Sequence, residues 1–176
     1  GRNRTIERRL SVATGAGQQR GIICGGGFAA PCAFGRSGTR HDKREGDGAT
    51  PRGRFGLAAV LYRPDRWRRP ESGLPVTAIG PQDGWCDDPA DRRYNQPVAL
   101  PYAGHHESLW RADHLYDVVV VIDFNLARPR RGGGSAIFLH IAAEDFRPTE
   151  GCVAISPRTM RQLLPRIGPG TTIEIR

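Results

Sequence analysis

The sequence predicts a mostly β fold with one or two helices. Three observations lead there. Its 176 residues include 23 glycines and 14 prolines, a density of chain-turning residues that suits short strands and tight connections. The most apolar segments, Val118-Val119-Val120-Val121-Ile122 and Ala136-Ile137-Phe138-Leu139-His140-Ile141, are short and rich in β-branched or bulky residues. Helical periodicity is clear only near the C-terminus.

The elements follow in order. Arg8 to Thr14 alternates weakly and reads as a first strand, Gly15-Ala16-Gly17 as a turn, and Gln19 to Cys24 as the hairpin partner closed by Gly25-Gly26-Gly27. Pro31 to Gly35 is a further short strand. Lys43 to Phe55 holds Gly46, Gly48, Pro51 and Gly53 and reads as a surface loop of mixed charge. Gly56 to Tyr62 and Val76 to Gly80 are strands, separated by a basic, Pro-containing loop with Trp67. Pro81 to Asp113 reads as a long irregular loop, a kind of segment that in compact domains is usually functional. Tyr116 to Phe124 and Ser135 to Ala142 have the pattern of strands buried on both faces. The C-terminal helix is signalled by Ser156 as N-cap and Pro157 at the first helical position. Its apolar stripe is Met160, Leu163, Leu164 and Ile167, and Gly168-Pro169 is the expected stop. Thr171 to Ile175 alternates as a last strand. The length suits one domain spanning residues 1–176, large enough to hold a core without staples.

The net charge of +8 favours polyanionic partners such as nucleic acid, anionic membranes or acidic envelope polymers. Nucleic acid is disfavoured: the arginines are scattered, and no basic helix face, zinc-finger spacing or aromatic-basic sheet motif is present. The longest apolar run is far too short to span a bilayer, so no transmembrane segment is expected. Gly1 opens the sequence without a methionine, so compartment is not read from its start. The four cysteines, Cys24, Cys32, Cys86 and Cys152, form no CxxC pair, which argues against structural zinc. Cys24–Cys32 is a conceivable disulfide that spacing leaves undecided.

Chemistry concentrates at Pro148-Thr149-Glu150-Gly151-Cys152-Val153-Ala154-Ile155. A cysteine nucleophile needs a group to take its proton, because a free thiol is mostly protonated near neutrality. His140, on the preceding strand, has the right chemistry to accept that proton and return it to a leaving amine. Gly151 lets the chain turn so that its own N–H or that of Cys152 can face a developing oxyanion. Read singly, Cys152 suits a buried structural cysteine and His140 a core histidine; their adjacency brings a catalytic pair level with that reading and leaves both open.

These segments resemble the catalytic segment of bacterial L,D-transpeptidases: a histidine on a strand, a loop, then a glycine-cysteine turn. Gly46-Asp47-Gly48-Ala49-Thr50-Pro51-Arg52-Gly53-Arg54-Phe55 is similar to the upstream Thr-Pro-x-Gly-x-Phe loop of the same family, and the helix and last strand also fit its layout. The chain departs from the pattern where Glu150 stands in place of a histidine and Ala154 in place of a polar residue. Its loop from His140 to Cys152 is also shorter. The resemblance implies a β-sandwich-like mixed barrel in the periplasm or cell envelope. The implied reaction is acyl transfer on peptidoglycan stem peptides through a Cys152 thioester, with His140 as base and then acid and no metal or other cofactor. Acceptor amines on a second stem would give 3→3 cross-links and amines on envelope proteins would give anchoring, while water would give L,D-carboxypeptidase trimming.

The long loop is expected to line or cover the cleft, with Trp85, Tyr94, Asn95 and Trp110 as candidates to bind a stem peptide and Arg92, Arg93 and Arg111 to meet carboxylates; the alternative is a solvated surface loop with a few core aromatics. His105, His106 and His114 with Glu107 match no standard zinc spacing. Two rival readings remain: a non-catalytic envelope-binding module on the same fold, and a papain-like protease. The second is weakened by residue order, since those enzymes place cysteine far upstream of histidine.

Overall fold

The computed structural model describes residues 6–14 and 19–176. The expected turn at Gly15-Ala16-Gly17 lies outside the described residues. In chain order the strands are β1 (Arg9–Thr14), β2 (Arg20–Gly25), β3 (Phe28–Ala33), β4 (Thr39–Arg40), β5 (Thr50–Pro51), β6 (Gly53–Tyr62) and β7 (Val76–Ala78). Then follow β8 (Asp83–Cys86), β9 (Pro97–Ala99), β10 (His106–Ser108), β11 (Val118–Ile122), β12 (Phe138–Ile141) and β13 (Val153–Ile155). The helix α1 (Pro157–Leu163) precedes the last strand, β14 (Thr172–Ile175).

The main sheet closes on itself. Its order is β11-β12-β13-β3-β2-β1-β14-β6, and β6 pairs back to β11. The long β6 makes closure possible: its start pairs with β14, its end with β7 on the same edge, and its other edge with β11. Parallel pairs (β1–β14, β12–β13, β6–β7) mix with antiparallel ones. The fold is thus mostly β with one short helix and a barrel-like closed sheet, as expected.

Strand β11 is buried on both faces, and its alternation divides the interior into two cores. Val118, Val120 and Ile122 join Leu139, Ile141, Val153, Ile155, the helix residues Met160 and Leu163, and Ile167 beyond the helix in the larger one. Val119 and Val121 point the other way, to Phe138, Trp85, Tyr116 and Cys152. The catalytic candidates lie on this second face because residues two apart share a side of a strand.

The helix begins as expected: the Ser156 side chain accepts the Thr159 N–H at 3.1 Å and Pro157 occupies the first turn. It ends earlier than the apolar stripe suggests, at Leu163, with a 3-10 turn over Leu164–Arg166. Pro165 explains this, since it lacks the N–H for the next helical bond and crowds the preceding turn.

The segment 81–113, expected to be irregular, contains a three-stranded antiparallel sheet in the order β10-β8-β9. It covers the outer face of β11 and β12: the Trp85 ring meets Phe138 edge-on at 5.1 Å. Lys43 to Phe55, expected on the surface, is partly interior, with Lys43, Ala49 and Thr50 buried and the Thr50 hydroxyl accepting the Gly35 N–H at 3.0 Å.

Candidate active site

Cys152 sits one residue before β13, and His140 lies on β12, paired with Ala154 in the parallel register. Alternation puts Cys152 and Ala154 on one face, so the thiol and the imidazole open on the same cleft. That cleft has a volume of about 410 Å³. Its walls include Lys43 and Glu45 from the upstream loop, Glu107 from β10, Arg111 and Tyr116 before β11, and Arg147 to Cys152.

The turn into Cys152 is fixed by Thr149. Its hydroxyl donates to the Cys152 carbonyl at 2.6 Å and accepts the Gly151 N–H at 3.1 Å. Its backbone N–H donates to the Phe34 carbonyl, and its own carbonyl accepts the Arg36 N–H. Gly151, expected as an oxyanion donor, therefore directs its N–H to Thr149 instead. The glycine is required on other grounds: it has φ of +146°, and a Cβ there would approach the Ala49 carbonyl oxygen to 2.9 Å. The upstream Gly46–Phe55 loop and the cysteine segment, about a hundred residues apart in the chain, are thus in direct contact.

The thiol donates to the Ala136 carbonyl at 3.2 Å and lies 3.4 Å from the Phe138 N–H, which donates to the sulfur. Burial, with a smaller contribution from Glu107, pushes the thiol pKa up to about 12, against the opposing pull of the Phe138 N–H, Lys43 and Arg111. His140 Nδ1 lies 2.9 Å from the Ile141 carbonyl. A carbonyl only accepts, so Nδ1 carries the proton and Nε2 presents a lone pair. Burial holds the His140 pKa down at about 4, outweighing the bond to Ile141. At rest both groups are neutral.

Charged groups frame this pair. Lys43 is buried, with its ammonium donating to Asp47 at 2.5 Å and to the Arg44 carbonyl at 3.0 Å. Burial alone would raise Asp47, but the Lys43 ammonium and the N–H groups of Arg44 and Ala49 draw it below the usual carboxylate range. Tyr116 meets His140 edge-on at 5.3 Å and donates to Glu107 at 3.0 Å. Glu150, where the resemblance places a histidine, is exposed and paired with Arg36 at 3.0 Å.

Of the residues expected to bind substrate, Arg111 lines the cleft, with its guanidinium bonded to Asp113 and 5.1 Å above the Tyr116 ring. The others are placed elsewhere. Trp85 is buried and borders a separate apolar cavity with Leu61, Ile79 and Leu126. Tyr94 is buried, donating to Glu45 at 2.6 Å and accepting the Gly134 N–H. Asn95 is a buried clamp: its carbonyl oxygen accepts from Trp85 Nε1 and the Ala136 N–H, and its amide donates to the Phe124 and Asn125 carbonyls. Trp110 lies beneath the Arg63 guanidinium, 3.6 Å from its ring. Segments that look like exposed loop in sequence turn inward once β8 to β10 form a sheet. Thr149 falls within the segment that carries the family resemblance, whereas Lys43, Glu107 and Tyr116 carry no local motif that marks them as site residues.

All four cysteines are free thiols; Cys24 registers with Ala29 and Cys32 with Gly21 across the β2–β3 hairpin, so the two are not opposed. The histidines of the long loop have different partners: His105 meets Asp87, His106 the Gly104 carbonyl and His114 Asp117. No group of three metal-ligating side chains occurs among the described residues.

A family model for the L,D-transpeptidase catalytic domain (YkuD) matches residues 2–175. The chain belongs to this family. No curated protein and no solved structure matches it. The family membership agrees with the mostly β fold and its closed sheet. No helix among the described residues is long and apolar enough to cross a membrane.

Proposed function

We propose that this protein is a cysteine L,D-transpeptidase that acylates Cys152 with peptidoglycan stem peptides and transfers the acyl group to an amine, forming 3→3 cross-links outside the cytoplasm. The observation that carries this reading is the shared cleft of a neutral Cys152 thiol and a neutral His140, whose Nδ1–H is committed to a backbone carbonyl so that Nε2 is left as base.

The reaction follows from that state. As Cys152 Sγ attacks the carbonyl carbon at the L-centre of the stem diamino acid, its proton passes to His140 Nε2. Coupling attack to proton transfer avoids a free thiolate, which burial disfavours. The oxyanion falls to the Cys152 N–H, the donor left at the turn; a single such donor contributes about 3 kcal/mol in comparable sites. Collapse expels terminal D-alanine, whose amine takes the proton from His140 and leaves the thioester. The Arg111 and Arg147 guanidiniums in the cleft wall suit the carboxylates of a stem peptide.

The test is mass spectrometry of products from purified tetrapeptide muropeptides. Cross-linked dimer with release of D-alanine is expected from the native chain and none from Cys152→Ala. Tripeptide without dimer would move the reading to carboxypeptidase trimming. Polymer binding without turnover, unchanged in Cys152→Ala, would make the chain a binding module.

A further inference from the structure

Glu107 is the carboxylate in the cleft that the acylation steps leave unused. It stands on β10, and its side chain accepts one hydrogen bond among the described residues, from Tyr116 Oη at 3.0 Å. The other cleft carboxylates are engaged differently: Glu45 accepts from both Tyr94 and Ser135, Asp87 pairs with His105, and Glu150 pairs with Arg36. Glu107 also opposes the nucleophile, since its charge adds to the burial that raises the Cys152 thiol. A carboxylate beside a sulfur that gives up its proton as it attacks, and beside the oxyanion that results, hinders the first half-reaction. Packing does not require the charge, because a neutral amide of the same shape would still accept the Tyr116 hydroxyl. Its charge suits a partner that arrives after the thiol has been consumed.

We propose that Glu107 is a specificity-determining residue for the second half-reaction, binding the ammonium group of a cationic primary-amine acceptor and taking one of its protons. The inference rests on the thioester reading above. Burial raises Glu107 above the usual carboxylate range, countered by the Tyr116 hydroxyl and further raised by Asp87, so it is a stronger base than a surface glutamate. Once thioester forms, the thiolate–carboxylate conflict is gone. The acceptor ammonium gives one proton to Glu107, and the neutral amine attacks the thioester carbonyl and forms the C–N bond. The second proton leaves nitrogen for His140 Nε2 as the C–S bond breaks, and the imidazolium returns it to the Cys152 sulfur. Glu107 then releases its proton to solvent. Water can use the carboxylate as a base but is not drawn by its charge, whereas a cationic amine gains both, so the same group biases the thioester from hydrolysis toward aminolysis.

The experiment compares native protein with Glu107→Gln, using tetrapeptide stem as donor and two competing acceptors near neutral pH: the side-chain ammonium of Nα-acetyl-lysine amide, and hydroxylamine, which is uncharged there. In Glu107→Gln the ratio of lysine adduct to hydroxamate should fall about tenfold, the loss of one charge-assisted contact. Acylation of Cys152 should become faster, because the variant lifts a charge that disfavours the thiolate. Tyr116→Phe, which keeps the carboxylate, should retain the lysine preference, and unfolding midpoints of both variants check that each is folded. A parallel fall in acylation and in both products would mark Glu107 as merely structural and overturn the proposal; so would an unchanged acceptor ratio. Absence of any Cys152 acyl-enzyme in the native protein would instead sink the thioester reading, and this one with it.

Discussion

At Cys152, burial and a neighbouring carboxylate disfavour the thiolate, while His140 is kept neutral by its own burial. Alkylation of Cys152 by iodoacetamide should therefore keep rising through the alkaline range toward about 12 instead of levelling near 9, the ordinary thiol value. A plateau below neutrality would show a resident thiolate. His140 also ties stability to pH. Its folded pKa of about 4 lies below the ordinary 6.5, so the unfolded chain binds this proton more readily between those values. The contribution is complete above pH 6.5 and is lost as pH falls toward 4, amounting to about 3 kcal/mol. Urea unfolding at the two ends of that window measures it, and His140→Gln should flatten the difference; an equal loss in the variant would assign the pH effect to other groups. Asn95 acts one step further away, because the Ala136 residue it holds supplies the carbonyl that accepts a hydrogen bond from the thiol. Asn95→Ala would leave the Trp85 and Ala136 N–H groups unsatisfied, and unfolding should show a loss of about 2–4 kcal/mol. That His140 and Cys152 share one cleft is legible in sequence because both lie on one short path, with a glycine at the turn. Asn95 and Tyr94 were misplaced because a polar residue between loop signals looks the same whether it faces a substrate or braces a buried corner.

At the scale of elements, legibility followed burial pattern and length. Strand β11 is an unbroken apolar run, β12 is apolar except for His140, and α1 carries a cap, a proline and a stripe, so all three are readable. Strands β8, β9 and β10 have three or four residues each, too few to establish alternation, and the glycine and proline within them mimic loop. Their pairing is set by the hydrophobic face of β11 and β12, which local sequence does not encode. The Ser156 cap offers a clean probe: Ser156→Ala should lower stability by about 1 kcal/mol through the lost bond to the Thr159 N–H. Cys152 acylation should stay near native, since α1 packs on the larger core and the thiol faces the other. A loss of acylation in a folded variant would show that the two cores are coupled more tightly than their packing indicates.

For the whole molecule, closure of the sheet brings together what the chain separates. The upstream loop, β10, the segment before β11 and the cysteine turn meet at one cleft only because β6 pairs with β14 and β11 at once. The family resemblance linked two of these segments by motif; the fold adds Glu107, Tyr116 and Lys43, which no motif marks. The net charge of +8 belongs to this scale too. Long-range attraction to an acidic polymer is screened by salt, so capture of polymeric peptidoglycan should weaken as ionic strength rises, while turnover of short muropeptides should change little. Equal salt sensitivity for both would place the effect inside the cleft.

Intact-mass spectrometry after exposure to a carbapenem, whose strained amide stands in for the acyl donor, tests most directly whether Cys152 is the acylated nucleophile. The native chain should gain one covalent adduct that peptide mapping locates at Cys152, His140→Ala should gain it far more slowly, and Cys152→Ala should gain none. An adduct of equal yield on Cys152→Ala would contradict the thioester mechanism.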